Sequence, residues 1–185
     1  GASKEYFIQL TTDRQPDETP PQIVSMSLRD GAFIQSGVTE TPFNIHLNEP
    51  GFCRWSTQDQ FYTDMPEAQS FLCEIEPSQN PLHVREYLCG TQLTGIQDNI
   101  ASRYYFRCKD LNNKEQQQST ILNLQGTVPL QITSISPQGE ILINSPTLQA
   151  TTAAGAEQGR ASCTYEHEGF RPVPFFTTGG NQHTQ

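Results

Sequence analysis

The 185-residue sequence has no long apolar segment and no cluster of basic residues. No run approaches the roughly 18 apolar residues that a membrane-spanning helix requires. The 11 Lys and Arg residues are scattered and the net charge is -9, whereas binding to a phosphate backbone depends on clustered basic side chains. We therefore expect no membrane span in this segment and no nucleic-acid partner.

Motifs for catalysis are also missing. There is no Gly-x-Ser-x-Gly turn for a serine nucleophile, and no CxxC pair or Cys/His cluster has the spacing of a zinc site. The histidines at 46, 83, 167 and 183 lie far apart in sequence, and we expect His46 to be a solvated side chain on the outward face of its strand. Glu74 and Glu76 do not indicate two carboxylates facing each other across a cleft. The sequence therefore predicts that the chain is not an enzyme.

Helical periodicity is absent, and hydrophobic residues are few. They make up 34% of the chain, and the mean hydropathy is -0.57, which suits small sandwiches that expose one face of each sheet. No run of ten residues shows a clean 3.6-residue period. Residues 104–110 (YYFRCKD) instead alternate, with Tyr104, Phe106 and Cys108 on one face and Arg107 and Lys109 on the other. The sequence predicts an all-β fold.

Five cysteines, at 53, 73, 89, 108 and 163, favour an oxidising, extracellular setting, because disulfides persist there and stabilise domains with little core. A bond between Cys53 and Cys108 would join two strands of one sheet. A bond between Cys73 and Cys89 would tie down the irregular segment between those strands. Other pairings stay open, because four cysteines allow three connectivities. Cys163 is left without a partner.

Two pairs of segments carry a family resemblance. Residues 52–57 (FCRWST), read with residues 105–110 (YFRCKD), resemble the cysteine-bearing Ig-like repeats found in tandem in large prokaryotic surface proteins. Residues 93–96 (LTGI), followed by the tyrosine-rich strand, resemble the end of a fibronectin type III or related Ig-like sandwich, where an inward tyrosine lies at the corner between sheets. The resemblance implies Ig-like (fibronectin III-like) sandwiches that serve outside the cell as spacers, stalks or adhesive modules.

An internal repeat indicates how the chain is divided. Residues 131–136 (QITSIS) resemble residues 22–27 (QIVSMS), and residues 162–165 (SCTY) resemble residues 52–55 (FCRW), both about 110 positions later. Further strands are predicted at residues 140–143 and 147–152. We expect three parts: residues 1–19, the terminal strand of a preceding repeat plus an acidic Pro-rich linker; residues 20–126, a complete Ig-like sandwich; and residues 127–185, the first half of a second one.

The second copy stops before any counterpart of residues 87–124. We expect the sequence to be a window from a longer array, and completion of the fold by another chain is the alternative. Residues 1–12 have an alternative too, as an added strand of the sandwich that follows them.

A structural calcium ion is one hypothesis for a binding site. Hard oxygen ligands at a domain junction can hold Ca²⁺, and the linker and the turn after the tyrosine strand would supply them: Asp13, Asp17, Glu18, Asp110, Asn112 and Asn113. The alternative interpretation is a solvated linker followed by turn-forming residues. No other cofactor is expected.

A sugar-binding surface is the second hypothesis. Its candidates are the aromatic residues Trp55, Phe61, Tyr62 and Tyr87. A sugar-binding module should show at least two of these rings coplanar on one outer face, whereas a spacer should bury or scatter them. The alternative for Trp55 is packing on a disulfide or a neighbouring strand.

These observations lead to two expectations about function. The first is a non-catalytic structural or adhesive repeat segment of an extracellular, cell-surface or fibre-forming protein. Its partners would be neighbouring repeats, identical chains in a filament, or a surface glycan or protein ligand. The alternative is a carbohydrate-binding accessory module of a secreted enzyme.

Overall fold

The computed structural model describes residues 18–142 and 144–185. The strand and linker expected before residue 18, with Asp13 and Asp17, lie outside these residues. The described part consists of β-strands and short 3-10 helices, so the all-β prediction is confirmed. Among the described residues, no helix has the length and apolar character to cross a bilayer.

The strands fall into two units. In chain order they are β1 (Ile23–Met26), β2 (Ala32–Ile34), β3 (Glu40–Leu47), β4 (Gly51–Ser56), β5 (Leu72–Cys73), β6 (Tyr87–Thr94), β7 (Ala101–Asp110), β8 (Thr120–Gly126), β9 (Gln131–Ser136), β10 (Gln149–Ala153), β11 (Thr164–Tyr165), β12 (Val173–Pro174) and β13 (Gln182–Thr184). The first unit contains β1 to β8, and the second contains β9 to β13.

The first unit is a sandwich of two four-stranded sheets. The first sheet has the antiparallel order β1-β3-β6-β5, and the second has the order β2-β8-β7-β4. The consecutive strands β1 and β2 lie in different sheets, and β2 pairs with β8 in parallel. Paired sheets with connections that cross between them are typical of Ig-like sandwiches. The first unit therefore has the Ig-like architecture predicted from the sequence.

Inward-facing aromatic and aliphatic side chains fill the space between the sheets. Phe43, Ile45 and Leu47 of β3 alternate with outward-facing neighbours, and all three are fully buried. The ring of Phe43 stacks on Phe106 of the second sheet, with ring centroids 5.1 Å apart. Phe71 packs edge-on against both rings. Aromatic pairs of this kind contribute roughly 0.5–1.5 kcal/mol each beyond the area they bury, so this cluster helps hold the sheets together.

Tyr104 joins the two sheets through its hydroxyl. The residue lies on β7 and is 1% exposed, and its hydroxyl donates a hydrogen bond of 2.9 Å to the carbonyl oxygen of Thr94, at the end of β6. An inward tyrosine bonded to upstream backbone is the arrangement called a tyrosine corner in Ig-like folds. Burial raises the pKa of the Tyr104 hydroxyl, which therefore keeps its proton for this bond.

The alternation along residues 104–110 predicts that Arg107 faces water, and this prediction is wrong. Arg107 is 7% exposed, because the segment after β4 folds back over the outer face of the second sheet. Its guanidinium donates hydrogen bonds to the Ser119 hydroxyl (2.9 Å) and to Asp59 Oδ1 (3.3 Å). It also lies over the ring of Phe61, 5.0 Å from the centroid.

The second unit repeats part of the strand order of the first. β10 lies between β9 and β13, just as β3 lies between β1 and β6. His183 of β13 is buried between two threonine hydroxyls, with Thr152 Oγ1 3.0 Å from its Nε2 and Thr178 Oγ1 2.9 Å from its Nδ1. All six residues of β9 are exposed. The second unit therefore has a small core, and its edge strand β9 is exposed to solvent.

One strand predicted for the second unit is not observed. Residues 140–142 form no strand, and residue 143 lies outside the described part. Leu142 is 96% exposed, so its side chain has no apolar surface to pack against. The predicted strand at residues 147–152 corresponds to β10.

We expect Tyr104→Phe to lower the free energy of unfolding by roughly 0.5–1.5 kcal/mol, because it removes the bond to Thr94 and leaves that carbonyl unpaired. Urea unfolding followed by the fluorescence of Trp55, the single tryptophan, measures this in the first unit. The matched control is Tyr105→Phe, a partly exposed neighbour, which should change the value by less than about 0.5 kcal/mol. Equal losses in both variants would contradict a specific role for the corner.

Candidate functional site

Two disulfide bonds lie against each other inside the sandwich. Cys53 is bonded to Cys108, and the two residues are directly opposite on β4 and β7. Cys73 is bonded to Cys89, and these are opposite on β5 and β6. The sulfur atoms of Cys53, Cys73 and Cys89 lie within 4.8 Å of one another. Each sheet thus carries its own cross-link, with the pairing that the sequence analysis put forward, and Cys163 is a free thiol.

The second disulfide closes the loop between β5 and β6. This disulfide-closed loop (residues 74–86) begins with the Glu74 N–H donating to the Leu88 carbonyl (2.8 Å), and the Ser78 N–H donates to the Glu86 carbonyl (2.7 Å). Asn80 makes an internal turn, because its side-chain oxygen accepts the N–H of Leu82 at 3.0 Å. The loop is therefore held at its base and within its span, so its side chains have defined positions.

This loop carries exposed apolar side chains. Ile75 is 73% exposed, Leu82 84% and Val84 63%. Exposed apolar side chains are unfavourable in water and are stabilised when a partner covers them. The loop is thus a candidate contact surface.

His83 and Glu86 of the loop meet His46 on the outer face of the first sheet. The rings of His46 and His83 stack in parallel, 3.8 Å apart and 5° from coplanar, and His83 Nδ1 lies 2.7 Å from Glu86 Oε2. The hydroxyl of Ser25, on the adjacent β1, lies 3.1 Å from His46 Nδ1. We call His46, His83 and Glu86 the histidine-pair site. One ligand atom from each lies within 4.8 Å of the others.

The electrostatics of the site favour a neutral imidazole on His46. Burial lowers the pKa of His46, the neighbouring His83 lowers it further, and the carboxylates of Glu86 and Glu74 act in the opposite direction. At pH 7 the His46 ring therefore keeps a lone pair on one nitrogen.

Sequence reasoning did not find this site. His46 was expected to be solvated, and its outward position on β3 is confirmed, but the ring is only partly exposed because His83 covers it. The two histidines come from elements far apart in sequence. The signal that was available is the His-x-x-Glu spacing of His83 and Glu86 inside a segment flanked by Cys73 and Cys89.

The four aromatic residues proposed as a sugar platform are scattered. Trp55 is 3% exposed and Tyr62 6%. Trp55 packs edge-on against Tyr104 and donates from Nε1 to the Thr91 hydroxyl at 3.3 Å. Phe61 is 58% exposed under the Arg107 guanidinium, whereas Tyr87 is on the other sheet and half-buried. Buried rings cannot stack on a sugar, so Trp55 and Tyr62 have structural roles.

Two of the residues proposed as calcium ligands have side chains that already accept hydrogen bonds in the turn after β7. Asp110 Oδ1 accepts hydrogen bonds from the N–H groups of Asn112 (2.8 Å) and Lys114 (2.7 Å), and Asn113 Oδ1 accepts a hydrogen bond of 3.0 Å from Lys109 Nζ. Glu18 and Asn113 line one shallow depression together with Lys114. Since Asp13 and Asp17 lie outside the described residues, the calcium site stays a prediction.

Comparisons with known proteins identify no family. No protein-family model matches the chain, and no curated protein matches it. Among solved structures it is similar to the I-band fragment I67–I69 from titin (10% identity, TM-score 0.44) and to the full ectodomain (Ig1–Ig3) of mouse nectin-like molecule 4 (11%, 0.34). Each alignment covers 90% of this chain and 54% of the other, so this chain spans about half the length of those structures. The Ig-like assignment rests on the strand order described above.

We expect the two disulfides to contribute unequally to stability. Removing a cross-link restores conformational entropy to the unfolded chain and so lowers the free energy of unfolding. The expected loss is roughly 3 kcal/mol for the bond between Cys73 and Cys89 and roughly 4 kcal/mol for the bond between Cys53 and Cys108, which closes the longer loop. The sequence separations are 16 and 55 residues. Urea unfolding of the two double Cys→Ala variants, followed by Trp55 fluorescence, measures the difference. A larger loss of stability in Cys73→Ala/Cys89→Ala than in Cys53→Ala/Cys108→Ala would contradict this account.

Proposed function

We propose that this chain is a non-catalytic structural or adhesive repeat segment of an extracellular protein, displayed on a cell surface or assembled into a fibre. The supporting observation is the Cys53–Cys108 cross-link between adjacent strands of a complete Ig-like sandwich. Disulfides of this kind persist in oxidising, extracellular compartments. Fold alone does not assign a function, and the mechanical effect of this cross-link is what supports the proposal.

The cross-link limits how far the first unit can extend. When the chain is pulled from its two ends, tension passes through the bond from Cys53 to Cys108 and bypasses the residues between them. The Cys73–Cys89 bond lies inside the bypassed segment. Only the strands outside it, β1 to β3 and β8, can be drawn out. Such a segment therefore lengthens less when it unfolds under load than it would without the cross-link.

The second unit supports the repeat organisation. Its strand order β9-β10-β13 follows the pattern of β1-β3-β6, so the same kind of sheet recurs along the chain. On β9, Ile132 is 63% exposed and Ile135 54%. This uncovered apolar face suits a neighbouring repeat or an identical chain as its partner.

The adhesive part of the proposal rests on the disulfide-closed loop. Its exposed Ile75, Leu82 and Val84 are presented by a backbone that a disulfide and internal hydrogen bonds hold in place. Preorganised apolar side chains bind with a smaller entropic cost than mobile ones. A protein ligand fits this surface better than a sugar, because no pair of exposed coplanar rings is found among Trp55, Phe61, Tyr62 and Tyr87.

Single-molecule pulling with handles at the chain ends tests the structural role. We expect the oxidised first unit to release about 180–200 Å less chain than the reduced one, because 55 residues are bypassed at roughly 3.3–3.6 Å each. Cys73→Ala/Cys89→Ala is the matched control, and its extension should equal that of the oxidised parent. Full extension of the oxidised parent would contradict the proposal.

A glycan array and electron microscopy test the choice of function. We expect no glycan to bind, and we expect the purified chain to form ordered end-to-end assemblies. Specific glycan binding that Phe61→Ala abolishes would instead favour the carbohydrate-binding module.

A further inference from the structure

The hydrogen bonds around the histidine-pair site resemble those that hold metal-binding histidines. A ligating imidazole binds the metal through one nitrogen, while an oxygen acceptor at the other nitrogen, usually a carboxylate, a backbone carbonyl or a water, fixes the ring. Ser25 contacts Nδ1 of His46. Within the described part of the chain, neither Nε2 atom of His46 or His83 has a hydrogen-bond partner. His46 is thus oriented by a neighbouring strand and keeps a nitrogen for another ligand.

His83 and Glu86 already point at a common position. Nδ1 of His83 and Oε2 of Glu86 are 2.7 Å apart, so their lone pairs converge on one proton. A metal ion that replaces this proton would separate the two atoms to about 3.4 Å, since Zn–N and Zn–O bonds are about 2.1 Å and the angle between them is near tetrahedral. A nitrogen of His46 lies within 4.8 Å of both. Binding by both imidazoles also requires the two rings, which stack 5° from parallel, to tilt apart, because an ion lies in the plane of each ring that binds it.

We propose that the histidine-pair site binds one Zn²⁺ ion, with a ring nitrogen of His46, Nδ1 of His83 and the carboxylate of Glu86 as protein ligands. Three protein ligands leave the fourth tetrahedral position to water. Two imidazoles and one carboxylate suit zinc better than calcium or magnesium, which prefer oxygen ligands. The carboxylate of Glu74, whose charge acts on His46, adds to the attraction for a cation.

The backbone around the site reduces the cost of binding. His46 comes from β3, which lies between two strands of the first sheet. His83 and Glu86 come from a loop that is closed by the Cys73–Cys89 bond. Ligands on elements that are already ordered lose little conformational freedom when the ion binds. The ion would join the disulfide-closed loop to β3 and hold its apolar side chains in one position.

Zinc titration of the whole chain, without a polyhistidine tag, tests the proposal. We expect one Zn²⁺ per chain by competition with a chromophoric chelator. We expect His46→Ala, His83→Ala and Glu86→Gln each to weaken binding at least 10-fold. Cobalt(II), titrated separately, should give visible absorption bands that these variants lose. Near-ultraviolet circular dichroism checks that each variant keeps the fold around Trp55.

Two control variants exclude binding elsewhere. His167→Ala changes an exposed histidine of the second unit, and Cys163→Ser removes the free thiol. Both should bind zinc as the parent does. The proposal would be overturned by the absence of stoichiometric binding, by unchanged affinity in folded His46→Ala and His83→Ala variants, or by loss of binding in either control.

Discussion

The contact between two disulfides beside the edge strands β4 and β5 of the first unit is the constraint on which the rest of the structure depends. In antibody-type Ig domains a single disulfide links one sheet to the other. Here Cys53–Cys108 links neighbouring strands of the second sheet, and Cys73–Cys89 links neighbouring strands of the first. The sheets are then held together by the packing of these sulfur atoms and by the aromatic cluster beside them.

This arrangement gives the two cross-links different consequences. The bond between Cys53 and Cys108 encloses a long segment, so it governs how much chain can be released under tension. The bond between Cys73 and Cys89 encloses a short loop on the outside of the sandwich, so it governs the positions of His83 and Glu86. A domain with a small apolar core can in this way combine a stiff body with an ordered surface loop, because covalent bonds reduce the entropy of the unfolded chain at both places.

Much of the sandwich could be predicted from alternation along single strands. Residues 43–47 and 104–108 have buried side chains at every second position, and local sequence is enough to show this. β6 was missed because Gly90 and the polar residues around it do not indicate a strand. The structure places Gly90 opposite Asn44, whose exposed side-chain oxygen would lie 2.9 Å from an added Cβ and would have to move aside for a larger residue.

The features that local sequence could not show depend on contacts between distant segments. Arg107 has the spacing of a solvated residue, and it is buried because the segment that holds Asp59 and Phe61 covers it. His46 and His83 meet only because the disulfide-closed loop folds over β3. The short polar strand β13 was missed for the same reason, since pairing with β10 is what orders it.

Peptide mapping under non-reducing conditions tests the central claim most directly. Trypsin cleaves after Arg54, Arg85, Arg103 and Arg107, which places Cys53, Cys73, Cys89 and Cys108 on four separate peptides. The account predicts that peptide 30–54 is linked to peptide 108–109, that peptide 55–85 is linked to peptide 86–103, and that Cys163 can be alkylated without reduction. A link between peptides 30–54 and 86–103, or any link to Cys163, would contradict it.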